Sequence, residues 1–313
     1  MDWLGARIDG PLVVIRDIHF TATAITTGSL IFRAALVGAV TPSSRSAAII
    51  VRAKTLRAAW ICLAISVVSG MIWLLFEAAS MSGLSFAEAM TPDVLSTVVN
   101  ETQFGLVSEI RMVMAVMLAG CLAYDRLPLA CGLALGLSLG LIAALAWTGH
   151  AGSTAGEIGI FHLAADILHL FAAAIWIGGL VSLVLLLSVA RRDQTRAGMS
   201  FAREVTQNFS AMGIATVIVV FATGMANAWI LVGSLHALTV TGYGRLLMLK
   251  MALFAVMLLI AAVNRFWLTP RLGQSSGSDR WLARNSMIEI ALALVIFAIV
   301  GVLGTLHPAI HSL

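Results

Sequence analysis

The chain has 313 residues, 60% of them hydrophobic and 11% charged, with a mean hydropathy of +0.99. Soluble domains carry about 25% charged residues, so this composition excludes a soluble globular protein, and a formal charge of +4 is too slight to argue for nucleic acid. The apolar runs are continuous Leu, Ala, Val and Ile rather than alternating apolar and polar, which excludes a transmembrane barrel and leaves an all-α polytopic membrane protein.

A hydrocarbon core of roughly 30 Å takes about 20 residues of helix. Eight segments meet that length, over 12–40, 56–80, 104–124, 127–149, 159–190, 208–232, 245–268 and 285–306. The first carries Arg16, Asp17 and His19 near its start. The second contains Cys62 and closes on Glu77, and the third opens on Glu109 and Arg111 and reaches Cys121. The fourth begins near Cys131 and ends at His150. The fifth opens FHLAADILHLFAAAIWIGG, with His162, Asp166 and His169 inside an otherwise apolar span. His236 lies in the loop after the sixth, Lys250 a turn inside the seventh, and Glu289 a turn inside the eighth. His307 and His311 follow in the C-terminal tail, and GQSSGSD at 273–279 is a flexible turn. The first and fifth segments exceed the spanning length and are expected to tilt or project.

Short loops predict one eight-helix membrane domain over 1–313 without a separate soluble domain. The first ten residues lack the basic n-region of a cleavable signal, and the three cysteines form neither a disulfide framework nor a CxxC motif. Arginine and lysine concentrate in the loops after segments one, three, five and seven, among them Arg45, Arg52, Lys54, Arg57, Arg126, Arg191, Arg192, Arg271 and Arg280. The positive-inside rule makes that side cytoplasmic and both termini periplasmic. All seven histidines then fall in the outer half of the membrane or beyond it, whereas Cys62, Cys121 and Cys131 fall in the inner half.

Ionisable groups inside a bilayer are expensive and mark function by default. His162, Asp166, His169, Ala173 and Trp176 recur at helical spacing and share one face. His162 and His169 are about 10 Å apart along the axis, too far to share one ion at ligand distances of about 2 Å. They predict two sites in file, or one ligand with Asp166 orienting an imidazole. The candidate metal ligands are therefore His150, His162, His169, His19, His307, His236 and His311. Met112, Met225, Met248 and Met251 are weaker soft donors, Glu77 and Glu109 weaker acidic ones, and Cys62, Cys121 and Cys131 form a candidate inner relay.

The motifs TGHAG at 148–152 and DILHLFAAAIWIGGL at 166–180 resemble the copper resistance protein D (CopD/PcoD) family. YGRLLMLKMALF at 243–254, NRFWLTPRL at 264–272, RNSMIEIALAL at 284–294 and LGTLHPA at 303–309 extend the resemblance over essentially the whole chain. Within it, His150, Asp166, His169 and Trp176 match the family's motif. The resemblance implies a non-enzymatic inner-membrane protein that moves Cu(I) or Cu(II) from the periplasmic side toward the cytoplasm, beside a separate periplasmic partner of the CopC type. Two alternatives stand beside a permease: a membrane cytochrome with haem clamped between His19 and His169, and a copper sensor or assembly factor that transports nothing.

Overall fold

The computed structural model describes residues 2–3, 6–7, 10–35, 40–193, 195–273 and 277–311, without the side chains of 2–7 and 311. After an antiparallel pairing of Asp2–Trp3 with Ala6–Arg7, the described residues form eight long helices. These are α1 (Gly10–Ala35), α2 (Arg45–Ser82), α3 (Gln103–Ala123) and α4 (Pro128–Ala143), the last continued by a 3-10 turn to Thr148. Then follow α5 (Gly156–Asp193), α6 (Arg196–Val232), α7 (Gly242–Val263) with a π-helical turn over Asn264–Leu268, and α8 (Ser278–Leu303). Seven of them, α2 to α8, are long and apolar enough to cross a membrane. The fold is that of an all-α polytopic membrane protein.

The exception, α1, has the length but breaks its apolar sequence with Arg16, Asp17, His19, Thr21, Thr23, Thr26, Thr27 and Ser29. It is nonetheless the helix most enclosed by others, packing against α2, α5, α8 and α4. Thr23, Thr26, Thr27 and Ser29 are all buried, and each hydroxyl has a partner. Thr27 donates to the Ser138 carbonyl of α4 at 2.9 Å, and Ser182 of α5 donates to Ser29 at 3.4 Å. In lipid, packing and interhelical hydrogen bonds replace the hydrophobic drive, each bond contributing about 0.6 kcal/mol on average. Small residues supply the packing. A Cβ on Gly28 would overlap the Ala174 carbonyl oxygen and Gly178 Cα, and one on Gly178 would overlap Gly28, so α1 and α5 cross backbone to backbone.

Successive helices run antiparallel, which gives the bundle two chemically different ends. At the arginine end, Arg33 and Arg52 converge on Asp125 at 2.7 and 3.7 Å, over an apolar cluster of Phe32, Val51, Leu186, Phe201, Leu272 and Leu282. At the histidine end, Arg16 donates to the Gly304 carbonyl at 3.3 Å and His150 to that of Leu303 at 3.2 Å. The predicted segments recur as helices, but three helices extend past their apolar cores. The start of α2 at Arg45, the start of α6 at Arg196 and the end of α5 at Asp193 are charged turns that carry no hydropathy signal.

Candidate metal path

Three polar groups interrupt the apolar interior. The first joins α1, α2 and α3. His19 Nδ1 meets the Ser66 carbonyl at 2.9 Å and Ser69 Oγ at 3.1 Å. Ser69 spends its own proton on the Ile65 carbonyl, so the ring carries its hydrogen on Nδ1 and turns the Nε2 lone pair outward. That lone pair accepts a hydrogen bond from the buried Arg111 guanidinium. Arg16 stacks over Trp73 at 5.2 Å, and Trp73 donates to Glu77 at 3.0 Å. A cavity of about 220 Å³ adjoins the group, lined by His19, Met71, Glu109, Arg111 and Met112 among others. His19 is thus a candidate ligand whose donor atom is already engaged by a cation.

The second group is built on α5. The 3-10 turn after α4 and the short helix His150–Ser153 bring Thr154 over the start of α5. Thr154 donates to the His150 carbonyl at 2.9 Å and accepts from His162 Nδ1 at 2.8 Å. Two turns on, Thr223 of α6 donates to the Val219 carbonyl and accepts from His169 Nδ1 at 3.0 Å. A hydroxyl has one proton to give, and in both cases it goes to a backbone carbonyl. Both imidazoles are therefore fixed as the Nδ1–H tautomer; the Val220 carbonyl is a further backbone partner of His169, and among the described residues no hydrogen bond is assigned to Nε2 of either. Metal-binding histidines are characteristically held this way, by a partner on the other ring nitrogen. Gly224 lies flush against His169, since a Cβ there would stand 3.3 Å from the ring's Cε1.

Asp166, between the two histidines, accepts from Asn227 Nδ2 at 3.0 Å. Lys250 and Tyr243 of α7 lie within range of its charge. Asn227 Oδ1 is a buried acceptor without a hydrogen-bond partner among the described residues. Asp166 is expected from the sequence to orient an imidazole; in the structure the Thr223 hydroxyl takes the His169 Nδ1–H, and Asp166 is held by Asn227. His150 stands near enough to His162 for their charges to interact, and its ring lies 6.2 Å from that of Tyr243.

The third group continues the same face of α5. Trp176 donates to Glu289 of α8 at 3.2 Å, and Asn264 of the π-turn donates to the other carboxyl oxygen at 2.6 Å. His162, Asp166, His169 and Trp176 fall within an arc of about 80° and a rise of about 21 Å. A file of polar side chains thus runs from the histidine end to the middle of the bundle.

The remaining candidates lie apart from this file. His236 and His307 are exposed at the histidine end, and the His311 side chain lies outside the described residues. Met225 and Met251 are exposed on the bundle's outer surface and Met248 is half-buried. Cys62, Cys121 and Cys131 are free thiols on α2, α3 and α4, and Cys131 donates to the Asp125 carbonyl. His19 turns toward α2 and α3 while His169 turns toward α6, so these two rings do not face one another. Among the described residues no three His, Cys, Asp or Glu side chains converge as a single metal site. The partners that sequence reasoning missed are Thr154, Thr223, Asn227, Asn264 and Asn285. The spacing of Thr223 and Asn227, i and i+4 in an apolar helix, was a signal that they share a face.

The architecture defines a polytopic helical membrane protein with an intramembrane file of histidine and carboxylate side chains. Two family models match the chain, "Copper resistance protein D-like, N-terminal domain" over residues 7–160 and "Copper resistance protein D" over residues 203–303. Copper resistance protein D of Pseudomonas syringae pv. tomato is 31% identical over 263 residues, covering 81% of this chain and 83% of that protein. The chain belongs to the copper resistance protein D family. It is also similar to the inner membrane protein YebZ of Escherichia coli (strain K12), at 28% identity over 95% of this chain and 98% of that one. The copper transport protein CutJ of Bacillus subtilis (strain 168) is 35% identical over half of this chain but only 27% of its own length. No solved structure matches the chain.

Proposed function

We propose that this chain is a copper permease of the bacterial inner membrane, taking copper through the histidine end and relaying it along α5 toward the cytoplasm. The observation that carries the reading is the pair of threonine-pinned imidazoles, His162 and His169, each presenting an unengaged Nε2. Neutral imidazole is a copper ligand, and two such donors about 10 Å apart suit successive stations rather than one closed site. Asp166 and the orphaned Asn227 Oδ1 supply oxygen donors between them. The names of relatives, a copper resistance protein, a copper transport protein and an inner membrane protein, point the same way. The arginine end supports a cytoplasmic assignment under the positive-inside rule, with both termini periplasmic. Exposed His236 and His307 then lie on the rim that a periplasmic CopC-type copper donor would meet.

The test is copper uptake into proteoliposomes together with bound-copper stoichiometry. The parent protein is expected to admit copper down its gradient, and a variant lacking His150, His162 and His169 to lose both uptake and bound copper. Full stoichiometry in that variant overturns the site, and binding without uptake makes the protein a sensor or assembly factor.

A further inference from the structure

Glu289 lies near the middle of α8 and is 1% exposed. Its two oxygens accept from Asn264 and Trp176, and Asn264 Oδ1 accepts in turn from Asn285 at 2.8 Å. Asn264 is held on the π-helical turn, where its carbonyl takes both the N–H and the hydroxyl of Thr269. π-turns of this kind recur at functional sites.

Every group that holds the carboxyl is neutral. From α5 it meets Trp176, from the end of α7 Asn264, and its own helix contributes Asn285 through Asn264. Arg265 turns away to Ser210, Arg284 stacks over Trp281 at 5.2 Å, and Arg16 of the adjoining α1 lies at the histidine end on Gly304. Among the described residues the only ion pairs within 4 Å are those of Asp125. A carboxylate without a counter-charge in a low-dielectric interior is strongly disfavoured against its protonated form. The two N–H donors of Trp176 and Asn264 favour the carboxylate, but neutral donors do not replace a counter-charge in so dry a site.

We propose that Glu289 is a proton-binding station of the α5 path, protonated while the path is empty and ionised when a copper ion enters it. Trp176 links the two, because it holds the carboxyl and lies on the same face as His162, Asp166 and His169. The exchange balances for Cu(I): one positive charge enters, the carboxyl O–H bond breaks, and one proton leaves past Asn285 to water at the arginine end. The net buried charge is unchanged, so entry of the cation is linked to release of a proton. This inference rests on the reading of α5 as a copper path.

Dicyclohexylcarbodiimide, an apolar reagent that consumes protonated carboxyls, tests the first half on the metal-free parent protein. Located by peptide mass spectrometry, the adduct at Glu289 is expected to form at least about tenfold faster at neutral pH than at exposed Glu101, a difference of about 1.4 kcal/mol in reactivity. An unlabelled Glu289 overturns the proposal, and this arm needs no variant. In the second half, silver(I), a redox-silent stand-in for Cu(I), is titrated while the infrared carbonyl band of the protonated acid is followed. Loss of that band in step with bound silver in the parent, and its absence throughout in Glu289→Gln, supports the exchange. A band unchanged once silver has bound overturns it. Protein that labels at Glu289 yet binds neither silver nor copper overturns the copper path itself, and the exchange with it.

Discussion

Replacing Thr223 by valine removes one hydroxyl and leaves the helix otherwise intact. In the parent that hydroxyl gives its proton to the Val219 carbonyl and accepts from His169 Nδ1 at 3.0 Å. The ring also has the Val220 carbonyl as a backbone partner, and a Cβ at Gly224 would stand 3.3 Å from its Cε1. Without Thr223 the Nδ1–H loses its hydroxyl acceptor and is left with that carbonyl alone, at a cost of about 0.5–1.5 kcal/mol. The hydrogen is then held less firmly on Nδ1, and each ring that carries it on Nε2 hides the lone pair a copper ion needs. Losing an orienting partner of a metal-bound histidine typically weakens binding 10–100-fold, equivalent to about 1.4–2.8 kcal/mol. Cu(I) affinity in lipid nanodiscs, measured by competition with a chromophoric chelator, reads this directly. Thr223→Val is expected to fall in that range, while Thr223→Ser, which keeps the hydroxyl, is expected to bind like the parent. Equal affinity in Thr223→Val and the parent, or an equal loss in both variants, would refute the tautomer argument.

Three further outcomes follow from the packing. His19→Ala uncovers the Arg111 guanidinium and should lower thermal stability in detergent by the equivalent of about 1.5–3 kcal/mol without changing bound copper, whereas His162→Ala should lose copper as well as stability, since its ring is fully buried. Gly178→Val forces α1 and α5 apart and should yield no monodisperse protein on size-exclusion chromatography; Gly136→Ala, whose Cβ meets nothing within 4 Å, should behave as the parent. Asp125→Asn takes the counter-charge from the largely buried Arg33 as well as from exposed Arg52, so thermal melts should register about 1.5–3 kcal/mol, with only the Arg52 share screened at high salt.

The helices were legible because hydropathy reports what lipid must touch, and their boundaries failed for the same reason. The first turns of α2 and α6 carry Arg45 and Arg196 and are helical beyond the apolar stretch, where a hydropathy pattern has no signal. The α5 face was legible as spacing, since i, i+4 and i+7 place His162, Asp166 and His169 together whatever surrounds them. What those side chains touch was not, because Thr223 is 54 residues from His169 and Asn227 is 61 from Asp166. His19 shows the limit most sharply. Its depth in the first segment suggested a ligand, and only the packing of α3 against α2 reveals that Arg111 occupies its free nitrogen.

The enclosure of α1 has a consequence for how the protein is made. This helix leaves the ribosome before those that enclose it, and its surface of Thr23, Thr26, Thr27 and Ser29 is completed only by α2, α4, α5 and α8. Gly28 waits for Gly178, 150 residues later. At the usual 5–20 residues per second, synthesis takes about 8–30 s to deliver that partner. Throughout that interval the helix at the centre of the finished bundle is the one least able to rest in lipid alone. Its retention in the membrane therefore depends on the insertion machinery or on α2 holding it until α5 arrives.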